Sequence, residues 1–402
     1  MDVGLDLLPR SPELVAELRG KRVGLLAHPA SVDKRLVHVS SVLAELGLRP
    51  KLIFGPEHGY GGEAQDMVGV ADAVCPITGA PIVSLYGDRF EDLVPRAEHL
   101  AEIDVLLVDL ADVGSRYYTF VWTALLAVRA AAAKGVRTIV LDRPNPLGGE
   151  VVEGSLQKPG FLSFVGLEPV AVRHALTLGE LVAHFAKQDG LALGPGGALS
   201  ILPVRGWDRS LLADAWDRPF VMTSPNMPTL ETAIVYPGGC LIEGTNLSEG
   251  RGTTRPFELV GAPFVDGRRL AQELTELGLE GFVARPLTFH AMFQKHARTI
   301  SGGVQIHVTD PSRFRSYAVY LALIALTKRQ APEAFRFRTE RYEYVDDIPA
   351  FDLLTGSSEA RLAIEAELPV RDWIDAIATP DAGYAETHRA AIAAAATAAI
   401  AV

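Results

Sequence analysis

The sequence predicts an α/β protein: a Rossmann-like, doubly wound and mostly parallel sheet, followed by a smaller C-terminal α+β domain. The chain has 402 residues and is 48% hydrophobic, enough to bury a large core, and its length favours two domains. Short apolar runs alternate with helix-like runs over the first 150 residues, which is typical of a parallel sheet covered on both faces. We place the two domains at residues 1–258 and 259–402.

Five runs in the first part are short, apolar and rich in Val, Ile and Leu, as buried strands are. They are residues 22–28 (RVGLLAH), 51–55 (KLIFG), 81–87 (PIVSLYG), 104–110 (DVLLVDL) and 136–142 (VRTIVLD). The run FVWTALLAVRAAAAKG between the last two is Ala-rich and ends in glycine, which predicts a helix.

Beyond residue 260 the pattern changes. Residues 264–279 and 313–329 predict helices, and residues 302–310 alternate like a strand. These elements predict an α+β unit that forms a second wall over a cleft. The Ala-rich residues 390–402 predict a terminal helix that is too short to cross a membrane.

Charge and targeting signals exclude several classes of partner. The net charge of −11 argues against nucleic acid, because phosphate contacts need a basic face. Cys75 and Cys240 are too few for a disulfide framework and suit a reducing compartment. The first residues lack a basic segment followed by an apolar one, so we expect a cytoplasmic protein, or a secreted one if a leader has been trimmed. The oligomeric state stays open, with a homodimer as one option.

No nucleotide motif follows the strands. The run after residues 22–28 has no G-x-G-x-x-G, and G-x-x-x-x-G-K-[ST] occurs nowhere in the sequence. We therefore expect no nucleotide cofactor.

Polar residues follow three of the predicted strands. In open parallel sheets, ligands bind beyond the carboxyl ends of the strands, so these residues are predicted to share one rim: Glu57, His58, Asp112, Arg116, Tyr118, Arg143 and Asn145. The glycines of GPEHGYGG, residues 55–62, allow a close approach of the backbone to a ligand.

A second polar concentration lies in residues 224–258. Its Gly and Pro residues fix the backbone, from which hydrogen-bonding side chains project: Asn226, Glu243, Asn246, Ser248 and Arg251. Such a segment suits a polyhydroxylated ligand with an acid group. The alternative is a plain connector between domains.

Several long motifs resemble those of one known family. GPEHGYGGEAQDMVGV, DLADVGSRYYTF, LDRPNPLGG, SPNMP and EGTNLSEGRGTTRPFELVGAPF are similar to the exo-β-N-acetylmuramidase family, NamZ or YbbC-like, formerly a domain of unknown function. The resemblance runs from about residue 20 to residue 356. It implies a glycoside hydrolase that releases terminal N-acetylmuramic acid from the non-reducing end of peptide-free peptidoglycan fragments, with a cleft between two domains and no metal or nucleotide.

The resemblance assigns roles to some of these residues. Glu57 matches the Pro-Glu-His-Gly motif and is the predicted acid/base, and His58 is expected to orient a loop or a sugar hydroxyl. The second catalytic group stays open: Glu243 leads the carboxylates Asp112 and Glu63, and Tyr118 is an alternative that would stabilise charge. Attack by the substrate's own acetamido group is also open, so neither retention nor inversion is predicted.

Substrate binding is expected from two kinds of side chain. Arg116, Arg143 and Arg251 are candidates for the lactyl carboxylate, since a guanidinium binds a carboxylate through two hydrogen bonds. Asn145, Asn226, Asn246, Ser248 and Asp112 are candidates for the other polar groups of the sugar.

The sequence departs from the family pattern at three positions, where many members have other residues. Ala175 stands where the family usually has glycine, Ala111 where many members have glutamine, and Gly61 where many have arginine. These departures leave a shifted amino-sugar preference open.

Two other functions stay open as well. One is a sugar-binding protein without catalysis. The other is a metal-dependent hydrolase built on Glu57, His58, Asp109 and Asp112, against which the absence of an H-E-x-x-H motif counts.

Overall fold

The fold is centred on a seven-stranded sheet, as a computed structural model describes it for residues 1–65, 68–69 and 72–402. Its strands are β1 (Val23–Ala27), β2 (Leu52–Gly55), β3 (Ala73–Val74), β4 (Pro81–Ser84), β5 (Val105–Asp109), β6 (Arg137–Leu141) and β7 (Leu199–Leu202). The order is β3-β4-β2-β1-β5-β6-β7, and only the edge strand β3 pairs antiparallel in this described sheet. The predicted Rossmann-like sheet is confirmed.

The direction of strand addition reverses at β1. The chain proceeds from β1 to β2 and β4 on one side, then returns to place β5 on the other side of β1, with Ala27 paired to Asp109. Strands β1 and β5 are buried along their whole length. Such a reversal opens a crevice at the carboxyl ends of the strands, which is where ligands bind in this fold.

Thirteen α-helices are described. They are α1 (Gly4–Leu7), α2 (Pro12–Arg19), α3 (Val39–Glu45), α4 (Ala97–Leu100), α5 (Phe120–Ala133), α6 (Leu178–Gln188), α7 (Leu230–Gly239), α8 (Gly267–Glu276), α9 (Ser316–Gln330), α10 (Ala350–Thr355), α11 (Glu359–Glu365), α12 (Ile374–Ala378) and α13 (Tyr384–Ala398). Helix α5 ends before Gly135, which takes a φ of 71° that suits glycine. Helix α6 begins with a capping box between Thr177 and Glu180.

A smaller antiparallel sheet forms in the later part of the chain. It contains β8 (Leu259–Ala262), β9 (Phe282–His290) and β10 (Ile300–Val308) in the order β8-β10-β9. Helices α8 and α9 pack together beside it. This arrangement confirms the predicted smaller α+β unit.

The core continues from the large sheet into the later part of the chain. One apolar cluster runs from α5 and α6 to α7 and to α9, which is buried from Ser316 to Thr327. A second cluster covers the opposite face of the sheet. The cluster that α7 and α9 share fixes the later segments against the carboxyl end of the large sheet. Among the described residues, no helix is long and apolar enough to span a bilayer.

Candidate active site

A cavity lies where the carboxyl end of β2 meets the later part of the chain. It contains about 510 Å³ of empty space, a volume that includes open solvent. Among the described residues, three carboxylates line it: Glu57, Glu243 and Glu343. The lining also includes His58, Asn226, Arg251 and the aromatic residues Tyr117, Tyr118, Phe120, Tyr236, Phe257 and Tyr342. We call it the catalytic cavity.

Glu57 enters the catalytic cavity from the turn that follows β2. It is 7% exposed, and its Oε2 accepts a hydrogen bond of 2.7 Å from the hydroxyl of Thr119. No other described residue donates a hydrogen bond to this carboxyl group. One oxygen is therefore positioned by the protein, and the other has no hydrogen bond from the described part of the chain.

His58 supports the turn that carries Glu57. Its backbone is left-handed, with a φ of 68°, which is uncommon for a residue other than glycine. Its Nδ1 donates to the carbonyl of Ala64 at 2.9 Å, which fixes the hydrogen on that nitrogen. The expected role of His58 in orienting the loop agrees with this contact.

Glu243 belongs to a chain of paired charges. It lies in the 3₁₀ helix Cys240–Gly244; Oε1 accepts from Arg251 at 2.6 Å and Oε2 accepts from the hydroxyl of Tyr342 at 2.7 Å. Arg251 also lies 3.2 Å from Glu249, which in turn accepts from Lys295 at 3.0 Å. Burial opposes ionisation of Glu249, but the charges of Lys295 and Arg251 outweigh it and lower its pKa.

Tyr118 and Asn226 hold the walls of the catalytic cavity together. The hydroxyl of Tyr118 donates to Thr223 at 2.6 Å, and burial raises the pKa of Tyr118, so that the phenol stays protonated. The amide of Asn226 donates to the side chain of Gln65 at 2.7 Å, which ties its segment to the loop after β2.

Glu343 is the lining carboxylate that sequence reasoning missed. It is 6% exposed, and both of its oxygens lie 3.3 Å from the hydroxyl of Tyr86. Glu343 and Tyr344 have φ values of 44° and 72°, two consecutive left-handed residues. Burial raises the pKa of Tyr86, and the negative charges of Glu57 and Glu343 raise it further. The run RYEYVDD, rich in aromatic and acidic residues, was the signal that could have pointed here.

Asp112 and Arg143 lie in a separate cavity, contrary to the prediction of one shared rim. This second cavity, of about 490 Å³, lies at the ends of β5 and β6 where residues 216–223 cover them. Arg143 donates to both oxygens of Asp109, at 2.5 and 2.9 Å. Asp112 accepts from the backbone N–H of Gly114 at 2.7 Å. We call it the switch-point cavity; Thr223, the acceptor of Tyr118, lines it from the other side.

Arg116, a candidate for the substrate carboxylate, is not among the residues that line the catalytic cavity. Its side chain is fully buried, and burial lowers its pKa. It donates to the carbonyls of Ser155, Val170 and Leu354 and to the side chain of Gln157, at 2.6 to 3.3 Å. Its donors therefore tie distant loops to one another.

Three further candidates are also engaged in holding the backbone, and none of them lines the catalytic cavity. Asn145 bonds to Leu176 and Leu147, Asn246 to Ala334 and Arg336, and Ser248 accepts from Gly250. The polar groups of these side chains face neighbouring peptide groups, and their binding of the sugar stays a prediction.

Comparisons with known proteins fit this arrangement. A family model described as exo-beta-N-acetylmuramidase NamZ, N-terminal, matches residues 23–231, and its C-terminal counterpart matches residues 234–392. The peptidoglycan beta-N-acetylmuramidase NamZ of Bacillus subtilis is 39% identical over 376 residues, covering 93% of this chain and 87% of that protein. The chain belongs to the exo-β-N-acetylmuramidase NamZ family.

Two solved structures from Bacteroides fragilis resemble the fold. One DUF1343 family protein superposes with a TM-score of 0.84 at 28% identity and covers 98% of this chain and 97% of its own. A second, at 22% identity, has a TM-score of 0.70, covers 98% of each chain and shares the fold.

Both NamZ family models contribute to the catalytic cavity. Glu57, His58 and Tyr118 fall within the N-terminal model, while Arg251 and Glu343 fall within the C-terminal one. The cavity is therefore completed only when the two parts of the chain meet.

The side chains that we considered for a metal do not fit a shared ion. Both oxygens of Asp109 accept from Arg143, and Nδ1 of His58 donates to a carbonyl. Asp112 lies in the other cavity. Across residues 1–65, 68–69 and 72–402, no group of three or more His, Cys, Asp or Glu side chains is arranged to hold a metal ion.

The departure from the NamZ family pattern at Ala175 has a backbone explanation. Ala175 has a φ of 59°, a conformation that glycine adopts without strain. The glycine usual at this position therefore serves the backbone, and the change to alanine is no sign of another substrate.

Proposed function

We propose that the chain is an exo-β-N-acetylmuramidase that releases terminal N-acetylmuramic acid from the non-reducing end of peptide-free peptidoglycan fragments. The observation that carries the proposal is the buried Glu57, held by Thr119 in a cavity that two further carboxylates share. Glycoside hydrolysis needs such acidic groups on both sides of a sugar. The name of the Bacillus subtilis relative, a peptidoglycan beta-N-acetylmuramidase, supports the same substrate.

Glu57 is the proposed general acid. Its Oε2 is held by the hydroxyl of Thr119, while its other oxygen has no hydrogen bond from a described residue and can give a proton to the bridging oxygen of the glycoside. A side chain fixed in this way loses little entropy when the substrate binds, which favours proton transfer.

Arg251 is the proposed ligand of the lactyl carboxylate. It is the one of our three candidate arginines that lines the catalytic cavity, and it stands over the ring of Phe257 at 5.2 Å. Glu243 and Glu249 hold its guanidinium in place. A substrate carboxylate would share this guanidinium with Glu243.

The disaccharide with N-acetylmuramic acid at its non-reducing end, β-1,4-linked to N-acetylglucosamine, tests the function. The wild type is expected to release N-acetylmuramic acid, and Glu57→Gln to reduce kcat by about 10²- to 10⁴-fold, the range of general acid catalysis. The urea midpoint should stay unchanged. Glu98→Gln is the control, because Glu98 is an exposed carboxylate on α4 and does not line the catalytic cavity.

Other results of this assay would favour the alternatives. Binding of the disaccharide without turnover by the wild type would identify a sugar-binding protein. Turnover only of a disaccharide with a different terminal amino sugar would identify a hydrolase with shifted preference. Cell fractionation tests the predicted cytoplasmic location, which suits cell wall recycling. Light scattering tests whether the protein is a homodimer.

A further inference from the structure

The catalytic cavity contains a carboxylate for which the family motifs gave no role. We propose that Glu343 is the second catalytic carboxylate, the general base that activates water on the face of the sugar opposite to the leaving oxygen. The inference rests on the proposed glycosidase function and adds the group that this function still lacks.

The other carboxylates that were candidates for this role are occupied or remote. Both oxygens of Glu243 accept short hydrogen bonds, from Arg251 and from Tyr342, so it is committed to holding the arginine. Asp112 lies in the switch-point cavity, and Glu63 is exposed. Glu343 lines the same cavity as Glu57, and the donor described for both of its oxygens is the neutral hydroxyl of Tyr86.

Glu57 and Glu343 approach the catalytic cavity from different walls. Glu57 follows β2 of the large sheet, and Glu343 lies in the loop that precedes α10. The only hydrogen bond that a described residue makes to Glu57 comes from Thr119, so the two carboxylates do not hydrogen-bond to each other. Carboxylates on separate walls can have a sugar and a water between them, which is the arrangement of an acid and a base.

Both carboxylates are carried by unusual backbone. Glu57 precedes His58 at a φ of 68°, and Glu343 and Tyr344 are left-handed at 44° and 72°. Such conformations are strained and persist where the surrounding structure imposes them, often at functional sites. Left-handed backbone therefore occurs at both carboxylates, at Glu343 itself and at the residue after Glu57.

Tyr86 connects the two carboxylates electrostatically. Its hydroxyl donates to both oxygens of Glu343, and its pKa is raised by burial and then by the charges of Glu57 and Glu343. The phenol thus remains a donor at neutral pH. A hydrogen bond to a carboxylate stabilises its charged form, which is the form that a base needs.

The proposed step balances as follows for a β-glycoside. Glu57 gives its proton to the bridging oxygen, the bond from C1 to that oxygen breaks, and its electron pair stays on the departing alcohol. A water oxygen bonds to C1 from the opposite face and passes a proton to Glu343. Glu57 ends ionised, Glu343 ends protonated, and the sugar leaves as the α-anomer.

Two substrates separate the acid from the base. Glu343→Gln is expected to lose about 10²- to 10⁴-fold in kcat on both the disaccharide and 4-nitrophenyl β-N-acetylmuramide. The activity of Glu57→Gln should recover on the aryl glycoside, because its 4-nitrophenolate leaving group departs without a proton from an acid. Glu340→Gln, an exposed carboxylate three residues away, is the control and should match the wild type. An activity of Glu343→Gln within a few-fold of the wild type on both substrates would overturn the proposal.

The stereochemistry gives an independent test. Proton NMR should find the α-anomer first, and sodium azide should restore turnover of Glu343→Ala on the aryl glycoside with an α-glycosyl azide as product. A β-anomer as the first product would overturn the role as a base. If Glu343→Ala fails to fold, the isosteric Glu343→Gln and the anomer measurement still decide. A wild type that releases no N-acetylmuramic acid would refute the proposed function itself, a result distinct from an active Glu343→Gln.

Discussion

The catalytic cavity and the switch-point cavity lie at the same edge of one sheet, yet their charges are arranged in opposite ways. In the switch-point cavity, Arg143 is paired with Asp109 and Arg218 with Asp6. In the catalytic cavity, the charge pair of Glu243 and Arg251 stands beside Glu57, whose described partner is a neutral hydroxyl. Paired charges hold a fold together, whereas a carboxyl with a neutral partner can exchange a proton. The general rule for ligand sites in this fold leads to the edge. The pairing of Arg143 and Arg218 with buried aspartates marks the switch-point cavity, where Asp112 accepts from the backbone N–H of Gly114.

The largest expected effect concerns stability in the switch-point cavity. Asp109→Asn leaves the buried Arg143 without its anion and should lower the free energy of unfolding by about 3 to 5 kcal/mol. Urea denaturation measures it. Glu102→Gln removes an exposed ion pair with Lys51 and serves as the control, with a change of at most about 1 kcal/mol.

The kinetics of the same variant sharpen the comparison. The folded fraction of Asp109→Asn should keep the kcat of the wild type, since neither Asp109 nor Arg143 lines the catalytic cavity. A stable Asp109→Asn protein with abolished turnover would mean that the switch-point cavity takes part in the reaction, and the two cavities would then form one site.

A smaller effect on stability is expected from the Glu243–Arg251 ion pair of the catalytic cavity. Tyr342→Phe removes the hydroxyl that donates to Glu243 and should cost about 1.5 to 3 kcal/mol of unfolding free energy, the range for hydrogen bonds to charged groups. KM should rise, because Arg251 is held less firmly for the substrate. Urea denaturation and steady-state kinetics measure the two effects.

Tyr317→Phe is the matched control for this substitution. Tyr317 is as buried as Tyr342, but its hydroxyl has no hydrogen-bond partner among the described residues. Its removal should leave stability and KM nearly unchanged. Equal losses from the two variants would refute the idea that Glu243 depends on Tyr342.

The sequence predicted the parts of the fold that carry a local signal. Strands β1, β2, β5 and β6 and helix α5 lie within one or two residues of the predicted runs, because buried parallel strands and Ala-rich helices differ clearly in composition. Strand β7 was missed, since its four residues follow a Gly-rich turn at 194–197. Strand β9 was missed because most of its residues are exposed and its alternation is broken at Arg285 and Pro286.

The candidate site was predicted only in part, for a related reason. Glu57 and Arg251 stand in motifs, and the structure brings both to the catalytic cavity. Asn246, which we expected beside them, is turned to the backbone of residues 334–336. Glu343 stands in the aromatic and acidic run RYEYVDD, but that run alone does not assign it to the cavity. Its contact with Tyr86 depends on the packing of distant segments.

The smallest effect is a pH dependence that arises beside the switch-point cavity. His28 is fully buried; Nε2 accepts from the backbone N–H of Ala111 at 2.9 Å, and burial, followed by the charge of Arg143, lowers its pKa well below 6.5. As the pH falls below 6.5, His28 binds a proton in the unfolded chain but stays neutral in the folded protein. The free energy of unfolding that is present above that pH is therefore lost progressively. The loss should reach about 1.4 kcal/mol per pH unit for this group.

Urea denaturation at pH 7, 6 and 5 measures this slope against two variants. His28→Gln should reduce the loss between pH 7 and 5, although His38, whose pKa burial also lowers, retains part of it. His290→Gln replaces an exposed histidine and should keep the wild-type slope. An unchanged slope in His28→Gln would place the acid sensitivity elsewhere. It would also remove the argument that the switch-point cavity is held by a neutral histidine and paired charges, and with it the physical basis for separating it from the catalytic cavity.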